Sequence, residues 1–131
     1  MKALVVDDDG VVLSSCDRVL APQGFTVRLV PSARAALAAL EQEVPDLLIV
    51  DVKMPEMDGL GLLRRIRERH PALPTVMMSG YAVPEMIQQG LALGADDFLS
   101  KPFTPDELLA SVHKALTKER PRESDPRTGD R

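Results

Sequence analysis

Leu47-Leu48-Ile49-Val50 is an uninterrupted apolar run, too short for a helix and apolar on every side. Such a run reads as a strand covered on both faces, the signature of a parallel sheet sandwiched between helices. No other stretch restricts the possible architectures as strongly. Asp51 follows at once, and Met54-Pro55 and Asp58-Gly59 mark a tight loop that leads into a helix. Ligands of open α/β sheets bind beyond the carboxyl ends of the strands, which is where this carboxylate falls. A lone Asp there is equally a turn residue, so its meaning depends on what the other strand ends carry.

The rest of the chain supplies those ends. Ala3-Leu4-Val5-Val6 is a second buried run, closed by Asp7-Asp8-Asp9-Gly10, with Asp9 placed to cap a helix reaching about Leu20. Pro22-Gln23-Gly24 stops that helix, and Thr26 to Val30 alternates as a strand nearer an edge. Ser32 caps an Ala-rich helix with Leu37 and Leu40 inward, and Pro45-Asp46 breaks to the strand ending at Asp51. Leu60, Leu63 and Ile66 line the next helix, whose closing cluster of Arg64, Arg65, Arg67 and Arg69 reads as cations complementing the helix dipole. Pro74 to Met78 is a fourth strand, ending at Ser79-Gly80. A weak helix from about Pro84 to Leu93 follows, interrupted by Gly90. Asp97 to Ser100 is a short fifth strand that runs into Lys101-Pro102-Phe103. Thr104-Pro105-Asp106-Glu107 is a capping box, opening a last helix with Leu108, Leu109, Val112 and Leu116 on its apolar face. One domain is therefore expected over residues 1–118, with 119–131, which carry no apolar residue, as a disordered tail or the start of a linker.

Five strands alternating with five helices predict a three-layer, doubly wound (βα)5 fold with a parallel sheet in the flavodoxin-like order 2-1-3-4-5. Strands one and three then flank the switch point. That order gathers Asp7, Asp8 and Asp51 at one crevice, with Ser79 and Lys101 closing its other side. The 131-residue length suits one domain. A net charge of −4, four aromatic residues and no Trp argue against nucleic-acid binding by this domain. Cys16 shares a helical stripe with Val12, Val19 and Leu20 and reads as a buried thiol. A single cysteine and the lack of a signal peptide or membrane span predict a cytoplasmic protein.

Clustered carboxylates repel one another and call for a cation. Oxygen ligands without His or Cys select Mg²⁺, which favours one or two carboxylates plus phosphate oxygens. A carboxylate can itself accept a phosphoryl group. Lys101 can supply positive charge and Ser79 a hydroxyl, while Gly80 leaves room for the incoming group.

Over about residues 2 to 118 the constellation resembles the receiver domain of two-component response regulators, the CheY-like family. The motifs that carry the resemblance are Val5-Val6-Asp7-Asp8, Asp51-x-x-Met-Pro-x-Met-Asp-Gly59, Ser79-Gly-Tyr-Ala82 and Gly94-Ala-Asp-Asp-Phe-Leu-Ser-Lys101-Pro-Phe103. The resemblance implies that Asp51 accepts a phosphoryl group from a phosphohistidine on a sensor histidine kinase or a histidine phosphotransfer protein. It implies Mg²⁺ held by Asp8, Asp51 and the backbone carbonyl of Lys53, with Asp7 acting through water. It further implies Lys101 on the phosphoryl oxygens, a cis Lys101–Pro102 bond, and Ser79 and Phe98 as a switch pair. The face of the fourth helix, fifth strand and fifth helix would bind a downstream protein or a fused effector domain. Such a domain is no enzyme in its own right; it assists only its own phosphorylation and dephosphorylation.

Receivers that dimerise through this face tend to carry basic residues on the fourth and fifth helices. Gln88, Gln89, Ser111 and His113 stand there, which predicts a monomer or weak dimer. Lys53 and Tyr81 could overhang the phosphoryl group and lengthen its lifetime. Two rival readings remain open at this level. Asp7-Asp8-Asp9-Gly10 also looks like the first motif of haloacid-dehalogenase-like phosphatases, with Asp7 as nucleophile, but that leaves the Asp51 motif unexplained. A pseudo-receiver, a binding module that is never phosphorylated, is the other. Cognate kinase, output, and whether the chain acts alone or is part of a longer regulator are not readable from the residues.

Overall fold

A computed structural model describes residues 1–118 of the chain; the predicted tail, 119–131, lies outside the described residues. Five strands, β1 (Lys2–Val6), β2 (Thr26–Val30), β3 (Leu47–Asp51), β4 (Thr75–Ser79) and β5 (Asp97–Ser100), form one parallel sheet in the order β2-β1-β3-β4-β5. This is the expected order. β3 and β4 are buried along their whole length, as a strand packed on both faces must be. β2 is an edge strand and mostly exposed.

Five helices cover the sheet: α1 (Gly10–Leu20), α2 (Ala33–Gln42), α3 (Gly59–Arg69), α4 (Pro84–Ala92) and α5 (Pro105–Thr117). Alternate strand residues face opposite ways, so two cores form. On one face Leu13, Cys16 and Leu20 of α1 and Leu108, Val112 and Ala115 of α5 pack on Val5, Ile49, Val76 and Met78. On the other, Ala36 and Leu40 of α2 and Leu62, Leu63 and Ile66 of α3 pack on Leu4, Val6, Leu48, Val50 and Met77.

Local signals set the helix starts. Asp9, Ser32 and Asp58 accept hydrogen bonds from Val11, Ala35 and Gly61 N–H, and Thr104 with Glu107 forms the full capping box. α1 ends in a short 3₁₀ turn, Ala21–Gln23, closed by Gly24 at φ 93°. Gly90 does not break α4, which runs through it to Ala92.

The arginine cluster that closes α3 is the main departure from expectation. Arg67 does more than complement a dipole: its guanidinium donates to the carbonyls of His70, Leu73, Leu93 and Gly94 and to Thr75 Oγ1. Beside it, Thr75 N–H donates to Asp96 Oδ2 and Asp96 N–H donates to the Thr75 carbonyl, joining the starts of β4 and β5.

Candidate functional site

The loop after β3 is folded tightly onto the strand it leaves. Val52 N–H continues the ladder to the Met78 carbonyl at 2.9 Å, and Gly59 N–H donates to the Val52 carbonyl at 2.7 Å. Glu56, at φ 70°, makes the reversal between them. A Cβ on Gly59 would lie 2.2 Å from the Asp51 carbonyl oxygen, so this closure depends on glycine. Asp51 is thereby fixed at the carboxyl edge of the sheet with a side chain only 5% exposed.

Asp7 follows the neighbouring strand, β1. Its Oδ1 accepts the Asp9 N–H at 2.9 Å and its Oδ2 accepts from Lys101 Nζ at 2.7 Å, and it is fully buried. The same Nζ stands 3.0 Å from Asp51 Oδ1, so one ammonium bridges both carboxylates. Lys101 reaches them because its N–H donates to the Ser79 carbonyl, extending the β4–β5 pairing by one step. The Lys101–Pro102 bond is cis. Asp8 is exposed at the rim. Ser79 is buried at the end of β4, its Oγ accepting the Tyr81 N–H at 3.1 Å. Lys53, Gly80 and Tyr81 are exposed around the opening. Phe98 is half-buried beneath α4, with its ring beside Gly90 and packed against the core on that side.

Burial is the main cause that lifts the Asp51 carboxyl above its ordinary range; the charges of Asp7 and Asp8 add to it, and Lys101 opposes it. Burial alone would lower the Lys101 ammonium, but its bonds to Asp7 and Asp51 outweigh that and raise it. Cys16, buried on α1, has its thiol pushed up to about 12, by burial first and then by the Asp7 charge. Asp7, Asp8 and Asp51 each offer an oxygen within 4.8 Å of the others. Three hard donors converging at a partly open mouth suit a divalent cation that keeps some of its water.

The family model of the response regulator receiver domain matches residues 3–113. The chain belongs to this family. This receiver is 40% identical over 113 residues to the DNA-binding transcriptional regulator NtrC of Salmonella typhimurium, covering 86% of this chain and 24% of that protein. It thus spans about a quarter of the length of the NtrC proteins it matches. An uncharacterized 14.6 kDa protein of Leptolyngbya boryana is 41% identical, with 87% of this chain and 88% of that one covered. Among solved structures, the Vibrio cholerae chemotaxis protein CheY4 superposes with a TM-score of 0.84 at 32% identity, over 88% of this receiver and 98% of CheY4.

Besides the role of Arg67, features around the site escaped the sequence reading. The close approach of Gly59 to Asp51 looked like an ordinary Asp-Gly turn, because nothing local reveals where the Asp51 carbonyl lies. α5 also carries a cation, Lys114, beside Ser111 and His113. Its Nζ stands 3.4 Å from Asp97 Oδ1, and Ser111 Oγ donates to Asp97 Oδ2 at 2.7 Å. Lys118 lies 3.8 Å from Asp96. The acids of the Gly-Ala-Asp-Asp motif are therefore engaged within the chain. No helix among the described residues is long and apolar enough to cross a membrane.

Proposed function

We propose that this receiver is the phosphoacceptor of a two-component phosphorelay, taking a phosphoryl group on Asp51 from a phosphohistidine of a sensor histidine kinase or histidine phosphotransfer protein in the cytoplasm. The observation that carries the reading is the single ammonium of Lys101 bridging Asp7 and Asp51 at the sheet's switch point. An Asp51 carboxylate oxygen attacks phosphorus in line with the P–N bond. The P–N electron pair leaves with the donor imidazole, and an acyl phosphate forms. Lys101, already 3.0 Å from Asp51, is placed to follow the charge onto the phosphoryl oxygens. Asp8, Asp51 and the Lys53 backbone carbonyl would hold Mg²⁺, with Asp7 contributing through water, and the bound ion would neutralise charge on the transferring group.

The acyl phosphate brings roughly −1.5 to −2 charge and new acceptor oxygens to the mouth. Ser79 Oγ accepts from Tyr81 N–H and, among the described residues, donates its own proton to no acceptor, so that proton can turn to those oxygens. Phe98 then follows inward, and the face of α4, β5 and α5 changes its packing for a downstream protein or a fused effector domain. With its two acids engaged internally, this face favours a monomer or weak dimer.

Asp7 is the weaker nucleophile, because both of its oxygens already accept hydrogen bonds. The test is intact mass after incubation with Mg²⁺ and acetyl phosphate. Wild type should gain one phosphoryl group and Asp51→Asn none. Labelling that survives Asp51→Asn and is lost in Asp7→Asn would transfer the reading to a phosphatase, and an unlabelled wild type would leave a binding module.

A further inference from the structure

α4 is held very unevenly. At its carboxyl end Arg67, reaching over from α3, donates from Nε to the Leu93 carbonyl at 2.6 Å and from Nη2 to the Gly94 carbonyl at 3.0 Å. The same guanidinium is itself anchored by the His70 and Leu73 carbonyls and Thr75 Oγ1, at 2.9–3.1 Å. All five N–H donors of the fork are thus used, three on the α3–β4 side and two on the end of α4. Gly94 leaves room for it, since a Cβ there would lie 3.1 Å from Arg67 Nε. At the amino end Val83 caps the helix with no side-chain hydrogen bond, and Met86 and Ile87 are only half-buried.

Between these ends the only buried residue of α4 is Gly90. A Cβ there would lie 2.9 Å from Met77 Sδ and 3.1 Å from Phe98 Cε2. The missing side chain is a seat for the Phe98 ring and the Met77 sulfur. Met77 pairs with Phe98 across the β4–β5 ladder and shares a strand face with Ser79, two residues on. Ser79, Met77 and Phe98 therefore share one face of the sheet, with Gly90 of α4 seated over the last two.

Resting on the phosphoacceptor reading, we propose that α4 works as a lever, with Arg67 as its fulcrum and Gly90 as the seat through which Phe98 moves it. When Phe98 leaves the seat for the space beside Ser79, the helix loses its central support. Residues 93–94 stay on Arg67, and the weakly held amino-terminal turns swing. Arg67 and Gly90 are positioning residues; neither touches the phosphoryl group.

The full chain has three phenylalanines, so 4-fluorophenylalanine labelling gives three ¹⁹F signals, with Phe98 assigned by Phe98→Leu. Spectra and amide hydrogen exchange are recorded at rest and with Mg²⁺ and beryllofluoride, a phosphoryl mimic. In wild type, beryllofluoride should shift the Phe98 signal and speed exchange early in α4, while Leu93–Ala95 stay protected. Gly90→Ala fills the seat. Its Phe98 signal at rest should already lie toward the beryllofluoride position, and its beryllofluoride affinity should rise about fivefold, the low end of ordinary coupling. Arg67→Lys keeps the charge but cannot bridge the two loops. It should still take beryllofluoride, yet exchange at Leu93–Ala95 should then rise about tenfold over wild type. A Phe98 signal unmoved in resting Gly90→Ala overturns the lever even if thermal stability falls, and so does unchanged exchange in Arg67→Lys. A wild type that responds beside silent variants sinks the lever alone. A wild type deaf to beryllofluoride sinks the phosphoacceptor reading, and the lever with it.

Discussion

Gly59→Ala is the sharpest test of how Asp51 is held. The new Cβ would sit 2.2 Å from the Asp51 carbonyl oxygen and 2.9 Å from both the Asp51 carbonyl carbon and Val52 Cα. All three are backbone atoms, so no rotamer change relieves the clash. A carbon normally approaches a carbonyl oxygen no closer than about 3.3 Å, so strand end and helix start must separate by about 1 Å. Overpacking of this kind costs about 1–3 kcal/mol, less whatever alanine regains as a better helix former. A net loss of about 2 kcal/mol would move the urea midpoint by roughly 1 M. Phosphoryl uptake should suffer more than stability, because a displacement of about 1 Å at a reacting group can cost about a hundredfold in rate. The paired measurements are urea unfolding and the initial rate of acetyl-phosphate labelling by intact mass. Gly61→Ala is the control: its Cβ would meet only Asp58 Oδ1 and Met57 Cγ at 3.4 Å, so it should keep stability and rate. The reasoning is refuted if Gly59→Ala unfolds within about 0.5 kcal/mol of wild type, the scatter of ordinary surface substitutions, and labels at the wild-type rate.

Asp51 has a raised pKa in the folded protein, so the folded state holds its proton more tightly than the unfolded chain does. The group's stabilising share is present below the unfolded value and lost as pH rises through the folded one. Without metal, Asp51→Asn should therefore gain on wild type as pH rises through that window, read from thermal midpoints in chelator; a constant or shrinking gap would contradict it. Cys16, pushed from an ordinary 9.0 to about 12, carries about a thousandfold less thiolate near neutral pH, so alkylation should be slow until denaturant is added. Prompt labelling of the native chain would show the thiol to be accessible. Lys53 and Tyr81, both exposed at the mouth, are expected to hinder attacking water. Replacing both by alanine should shorten the life of the acyl phosphate, and an unchanged decay rate would count against that role.

The parts of the fold written locally were legible. Buried runs such as Ala3–Val6 and Leu47–Val50 announce central strands, and Asp9, Ser32 and Thr104 announce helix starts, because each signal lies within a few residues of its effect. The gathering of Asp7, Asp8, Asp51 and Lys101 was legible once the strand order was granted, since that order alone brings the strand ends together. What escaped depends on where side chains meet in space, which no local pattern gives. Arg67 looked like one cation among several, yet its acceptors lie on residues 70, 73, 75, 93 and 94. Gly90 looked like a flaw in a helix, and only the positions of Met77 and Phe98 show it to be a packing seat. Lys114 finds Asp97 only because α5 folds back along β5.

The sheet register bears on what evolution or an engineer can change. Val6 pairs with Val50, Asp51 with Met78 and Ser79 with Ser100, so the groups at the mouth are levelled by ladder pairings rather than by the loops that leave them. A residue added to a crossover on the far side of the sheet leaves that level line untouched. One residue added within β3 or β4 turns Asp51 or Ser79 to the opposite face. The chain can thus accept new lengths and new surfaces in its lower loops and helices while its strands stay fixed in number and phase, which lets one chemistry be carried beneath many different exteriors.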